Sequence, residues 1–159
     1  MRIVVLVKPV PDPASAGERL GPDGRLDRAA VPAVVNGNDE YVLEAALKLV
    51  EAAGEGEITL LSMAPTNAPE TLRKALAMGA HRGVLVTDDA LRGADTLVTA
   101  RVLAAAVRHA GHPDLVIAGV ESTDGYTGTL PATVAELLEL PSVTFARALP
   151  GQCQIRELV

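Results

Sequence analysis

Aromatic residues are almost missing from this chain. Only 2% of its 159 residues are Phe, Tyr or Trp, and Trp is absent. Stacking platforms for bases or flavin rings are therefore scarce, and a ring-shaped ligand must be held mainly by backbone, aliphatic and polar groups. Cysteine is nearly missing too. Cys153 stands alone, so no internal disulfide forms, and a reducing cytoplasm is the expected setting. No apolar run approaches the roughly 20 residues of a membrane span. Met1 to Val10 is too short for a secretory signal, and Pro11 and Asp12 follow it at once. Positive charge is in deficit. A net charge of -6 argues against broad binding of nucleic acid or an anionic membrane.

What is present is ordinary globular material: 48% hydrophobic and 21% charged residues, enough to bury a core. The length suggests one domain, residues 1–159. Arg2 to Val7 reads as a buried strand, apolar on both faces and ended by Lys8-Pro9. Lys8 reads equally as a ligand's counter-charge and as a solvated strand-end lysine. Val10 to Val35 is rich in Pro, Gly, Asp and Arg, with a turn signal at Gly21-Pro22-Asp23-Gly24. A small hairpin excursion is expected there, and so long a connection is often a binding or docking element.

Periodicity then places a helix after Asn36-Gly37-Asn38-Asp39-Glu40, with Asn38 or Asp39 as N-cap and Gly54 as its stop. A strand follows over Glu57 to Met63, then a helix opened by Pro69 and stopped at Gly79. The next expected elements are a strand over Arg82 to Thr87 and an Ala-rich helix over Leu97 to Ala110, capped by Asp95. Asp114 to Ala118 is the fourth strand, Ala132 to Leu140 carries a helical pattern, and Ser142 to Ala148 reads as a fifth strand. Strands alternating with helices indicate an α/β fold with a doubly wound parallel sheet, Rossmann-like, carrying the hairpin excursion.

The stretch that invites a ligand is Gly119 to Pro131, GVESTDGYTGTLP. It joins a strand to a helix N-terminus, where open α/β sheets bind ligands and where anions are favoured. Its hydroxyls at Ser122, Thr123, Thr127 and Thr129, and its glycines at 119, 125 and 128, suit a phosphate or a ribose. The same loop also reads as a plain connection whose Asp and Thr cap the next helix. Reactive chemistry is not visible. The first strand is followed by Lys8-Pro9-Val10-Pro11 instead of G-x-G-x-x-G, and no G-x-x-x-x-G-K-[ST] occurs. The Ser-Gly-Gly-x-Asp-Ser pyrophosphatase loop is missing. His81, His109 and His112 lack metal spacing, and Ser122 and Ser142 lack a nucleophile elbow. A nucleotide holder with no acid, base or nucleophile set is what remains.

Four pieces, in order, resemble the beta subunit of electron-transfer flavoproteins: IVVLVKPVP at Ile3 to Pro11, NGNDEYVLEAA at Asn36 to Ala46, PTNAPETLRKALAMGA at Pro65 to Ala80, and the key loop with its helix through PSVTFA at 141–146. The resemblance implies an adenine-nucleotide-binding domain, not a catalyst, paired with an alpha subunit that holds most of the FAD. The beta subunit of the family binds AMP, or a second FAD in electron-bifurcating members. The complex carries electrons from dehydrogenases to a membrane quinone reductase. Carried over by position, the nucleotide contacts are Leu6; Asn36, Gly37, Asn38 and Asp39; Met63; and Gly119, Val120, Glu121, Ser122, Thr123, Asp124, Gly125, Tyr126, Thr127, Gly128, Thr129 and Leu130. Backbone around Leu6, Met63 and Ser122 suits the adenine edge, and the 125–130 turn suits the phosphate. No metal site, nucleic acid or membrane insertion is implied.

The sequence departs from the family's pattern in three places. Asn36-Gly37 replaces Asn-Pro, and Ser122-Thr123-Asp124-Gly125 replaces the commoner Ala-Ile-Asp. The acidic-glycine segment expected after the fifth strand is absent, and family beta subunits run on well beyond Val159. A short or C-terminally truncated relative is therefore expected, without the partner-docking loop. The alternative is a stand-alone adenine-nucleotide-binding or sensing module, perhaps a homodimer in the absence of an alpha chain. An adenylate-cleaving enzyme fits least, because the pyrophosphatase loop is missing.

Overall fold

The strand Arg2–Leu6 (β1) is apolar on both faces because it lies between two strands and two helical layers. Ile3, Val5 and Val7 point to one side, Val4 and Leu6 to the other, and all five are buried. A computed structural model of the chain describes residues 1–15, 20–28 and 30–146. β1 pairs in parallel with Glu57–Met63 (β4) on one side and Leu115–Ala118 (β6) on the other. Val5 stands opposite Leu60 in the first pairing and Ile117 in the second. Arg82–Val86 (β5) adds to β4, giving the order β5-β4-β1-β6.

Helices Gly37–Ala53 (α1) and Pro69–Leu76 (α2) cover the Ile3–Val5–Val7 side through Leu43, Ala46, Leu49, Leu72 and Ala75. Helices Thr96–His109 (α3) and Leu130–Leu138 (α4) cover the other through Ala100, Leu103, Val107 and Val134. Fully buried residues such as Leu60 and Leu43 each contribute roughly 1.5–3 kcal/mol of transfer free energy to these two cores. The crossovers through α1 and α2 step away from β1 in one direction and lie on one face. The crossover through α3 returns past β1 and lies on the opposite face, so all keep one hand. The fold is the expected doubly wound α/β sheet, and its strand order reverses between β1 and β6.

The excursion is also present. Pro9–Pro11 (β2) pairs antiparallel with Ala33–Val35 (β3), Val10 opposite Val34. Farther out, Leu20 bridges Leu26 around a turn in which Gly24 N–H donates to Gly21 O at 3.0 Å, with Gly24 at φ +72°. That is the turn Gly21 to Gly24 announced. Among helix ends, Asp95 caps α3 by accepting the Val98 N–H at 2.7 Å, and Gly54 closes α1 in the left-handed conformation.

Two expectations are corrected. The N-cap position of α1 is Asn36, not Asn38 or Asp39, which lie in the first turn. Asn36 makes no side-chain cap, because its amide oxygen, the acceptor a cap would use, takes the Thr123 N–H across the fold. The expected fifth strand is not formed over its described part, residues 142–146, and 147–148 lie outside the described residues. Phe145 takes a left-handed φ of 53°, which breaks an extended path. Val143 and Phe145 are about four-fifths exposed, at 80% and 81%. Their alternation reads as a strand, but among the described residues no ladder partner holds it.

Candidate functional site

The carboxyl ends of β1 and β6 flank the point where the strand order reverses, the place such sheets use for ligands. A buried polar cluster fills it. Asn36 is 1% exposed and Asp39 5%. Asn36 Nδ2 donates to Asp39 Oδ1 at 2.9 Å and to the Glu121 carbonyl at 3.0 Å. Asn36 Oδ1 accepts the Thr123 N–H at 3.2 Å. Asn38 Nδ2 reaches the same Glu121 carbonyl at 2.9 Å. Asp39 Oδ2 accepts the backbone N–H of Lys8 at 2.8 Å. The start of α1 thus pins both the end of β1 and the loop after β6. Burial pushes the Asp39 carboxyl up to about 6, although Lys8 and Asn36 pull the other way.

Gly119 is where β6 passes this cluster. A Cβ there would stand 2.5 Å from Asp39 Oδ1 and 3.0 Å from Asn38 Cβ, so only glycine fits. Beyond it, Gly125 N–H and Tyr126 N–H both turn back to the Ser122 carbonyl, with Tyr126 at φ +50°. Lys8 Nζ donates to Asp124 Oδ1 at 2.7 Å and Ser122 Oγ at 3.0 Å. Arg28 approaches Asp124 Oδ2 through Nε and Nη2, each at 2.8 Å. The Asp124 side chain is 1% exposed. Burial alone would raise its pKa, but hydrogen bonds and charge from Lys8, Ser122 and Arg28 hold it below the usual carboxylate range.

The structure gathers Asn36, Asn38, Asp39, Gly119, Glu121, Ser122, Thr123, Asp124 and Gly125 into one place. Gly37 is exposed as the first residue of α1, and Val120 is exposed beside the cluster. Leu6 ends β1 with its side chain buried, so it faces this place through backbone alone. Met63 ends β4 and packs on the α3/α4 side. Tyr126, Thr127 and Thr129 are exposed at the crest, and Gly128, at φ +61°, stands beside the Glu121 carboxylate. Leu130 starts α4, whose N-terminus has no side-chain cap, leaving N–H groups for an anion. Sequence reasoning missed Arg28. A cation on the hairpin's return limb was its one signal, and only the fold shows which acid it meets. Lys8, readable either way, is a member of the cluster.

A family model described as an electron transfer flavoprotein domain matches residues 23–157. The chain belongs to the electron transfer flavoprotein family. It is 43% identical over 149 residues to the electron transfer flavoprotein subunit beta of Mycobacterium bovis, covering 91% of this chain and 56% of that protein. It is 40% identical over 164 residues to the protein FixA of Rhizobium meliloti, covering 99% of this chain and 55% of FixA. It is 38% identical over 151 residues to the acryloyl-CoA reductase electron transfer subunit gamma of Anaerotignum propionicum, covering 94% and 56%. The chain spans about half the length of the curated relatives it matches. The resemblance read from the four sequence pieces holds, and the electron transfer flavoprotein fold puts two of them, at β1 and at the start of α1, against the β6–α4 loop.

Proposed function

We propose that residues 1–159 form a single adenine-nucleotide-binding domain, the corresponding part of an electron transfer flavoprotein beta subunit. In this reading it binds AMP at the β1–β6 switch point and pairs with an alpha subunit that holds the FAD. The pair then carries electrons from dehydrogenases toward a quinone reductase, so the chain acts as a carrier subunit rather than a catalyst. The observation that carries the reading is the anchoring of the Glu121–Asp124 loop by Asn36, Asn38 and Lys8. Such a loop is preorganised beside an uncapped helix N-terminus, which suits a phosphate. An ammonium at Lys8 and hydroxyls at Ser122, Thr127 and Thr129 suit a phosphate and a ribose. The scarcity of aromatics fits an adenine held by backbone edges.

The test is identification by mass and absorbance of the small molecules released by acid from the purified chain. AMP without flavin is the expected result, with FAD appearing on co-purification with an alpha subunit. FAD on this chain alone would replace AMP by a bifurcating-type site. An empty chain that shows no thermal shift with AMP, ADP, ATP or FAD would overturn the nucleotide reading.

A further inference from the structure

Residues 20–28 of the excursion touch two loops that follow different strands. Arg28 binds Asp124, in the loop after β6. Arg25 lies against Gly93, in the loop between β5 and α3, so closely that any side chain at 93 would collide with its guanidinium. β5 and β6 are the two edge strands of the sheet. They stand three strand spacings apart, about 14 Å. Three residues of chain span about 10 Å when extended, and two arginine side chains make up the remainder. The segment therefore lies between the loops that follow the two edge strands, bonded to one through Arg28–Asp124 and resting against the other at Gly93.

We propose that residues 20–28 form a strap across the switch-point site, clasped by Arg28 to Asp124, and that opening this clasp sets the rate at which a bound nucleotide leaves. The proposal rests on the nucleotide reading above. Asp124 is the link between strap and site: one carboxylate oxygen holds Arg28, the other holds Lys8, which also holds Ser122. Release of Arg28 frees one oxygen of Asp124, while Lys8, Asn36 and Asn38 keep the rest of the loop in place. Arg28 is a positioning residue and needs no contact with the ligand. Its side chain is 45% exposed, so the clasp is open to salt and contributes little to global stability.

The experiment measures AMP dissociation by stopped flow for the wild type, Arg28→Gln and Arg28→Lys, from low to high salt. Arg28→Gln is expected to release AMP roughly fivefold faster, the factor a half-exposed ion pair supplies. Release accelerates with salt more steeply in the wild type than in Arg28→Gln, where only the Lys8 charge is left to screen, and Arg28→Lys restores part of the wild-type rate. The unfolding midpoint stays the same, which separates gating from general loosening. Equal release rates, or a wild-type rate indifferent to salt, would overturn the proposal. Hydrogen exchange on the ligand-free chain keeps its failure apart from that of the nucleotide reading. Joint loss of protection over 20–28 and 121–125 in Arg28→Gln upholds the clasp, and unchanged exchange overturns it. If wild type binds no AMP, the nucleotide reading falls and the gating role falls with it.

Discussion

The buried carboxylate of Asp39 accepts the backbone N–H of Lys8 at 2.8 Å, across a separation of 31 residues. One bond therefore ties the start of α1 to the end of β1. Its other oxygen takes the Asn36 amide. Asp39→Ala strands two buried donors, and each buried unsatisfied group costs about 1–3 kcal/mol. The expected loss is about 2–4 kcal/mol in urea unfolding, with Asp39→Asn in between, because an amide oxygen still serves one donor. A loss under about 0.5 kcal/mol, the size of an ordinary surface change, would contradict the geometry.

The same residue sets a pH dependence. Its folded pKa, about 6, lies above the unfolded value of 3.8. Between those values the folded chain holds a proton that the unfolded chain has released, so stability falls as pH rises through this window. Above about pH 6 both states are ionised and the contribution is flat. The full span corresponds to about 3 kcal/mol. Asp124 works oppositely. Its lowered pKa supports the fold above the unfolded value and is lost only as pH falls below it. The check is the difference in urea stability between wild type and Asp39→Asn from pH 4 to 7.5. It should decline with rising pH and level off above about 6. A flat difference would rule out the raised pKa.

The sheet and its helices were legible because their apolar residues repeat at strand and helix spacing, and because Gly54, Pro69, Asp95 and Gly79 punctuate them. Those signals are local. The sequence points to Asn38 or Asp39 as the N-cap of α1 because capping is the nearest use for such side chains, whereas Asn36 and Asp39 are bonded to each other and to distant groups. Those groups, on Lys8 and Glu121, are 31 and 85 residues away. The Ser142–Ala148 strand failed for a related reason. Alternation at Val143 and Phe145 is a local signal, whereas a strand is made by its neighbour. The key loop was found from composition, but the Arg28–Asp124 pairing needed the order of the strands.

Two glycines near the site should behave oppositely on substitution. At Gly119 an alanine Cβ would press on Asp39 Oδ1 and on the Asn38 backbone carbon, at 2.5 and 3.2 Å. Backbone of a helix start yields little, so Gly119→Ala should cost about 1–3 kcal/mol and weaken AMP binding. At Gly37, the first residue of α1, a Cβ meets nothing within 4 Å. Gly37→Ala should leave AMP binding alone and stabilise by about 0.4–1 kcal/mol, because it restricts the unfolded chain. Thermal unfolding with and without AMP compares them. A tolerated Gly119→Ala would mean the loop approaches α1 less closely than 2.5 Å implies.

Lys8 separates a structural role from a ligand-facing one. An ammonium has three N–H donors, and Asp124 and Ser122 take two. The third is free to meet a phosphate oxygen. Lys8→Met removes the charge but keeps the stem. Asp124 retains Arg28, and the lysine side chain is 39% exposed, so the stability loss should be about 1–2 kcal/mol or less. Affinity tells more. If the third donor meets the phosphate, AMP binding weakens at least tenfold, about 1.4 kcal/mol, while adenosine binding is little changed. If Lys8 only holds the loop, both weaken together. Calorimetric titration of wild type and variant with the two ligands decides, and we expect AMP to lose more, because Arg28, the other cation of the cluster, is turned to Asp124 through both Nε and Nη2.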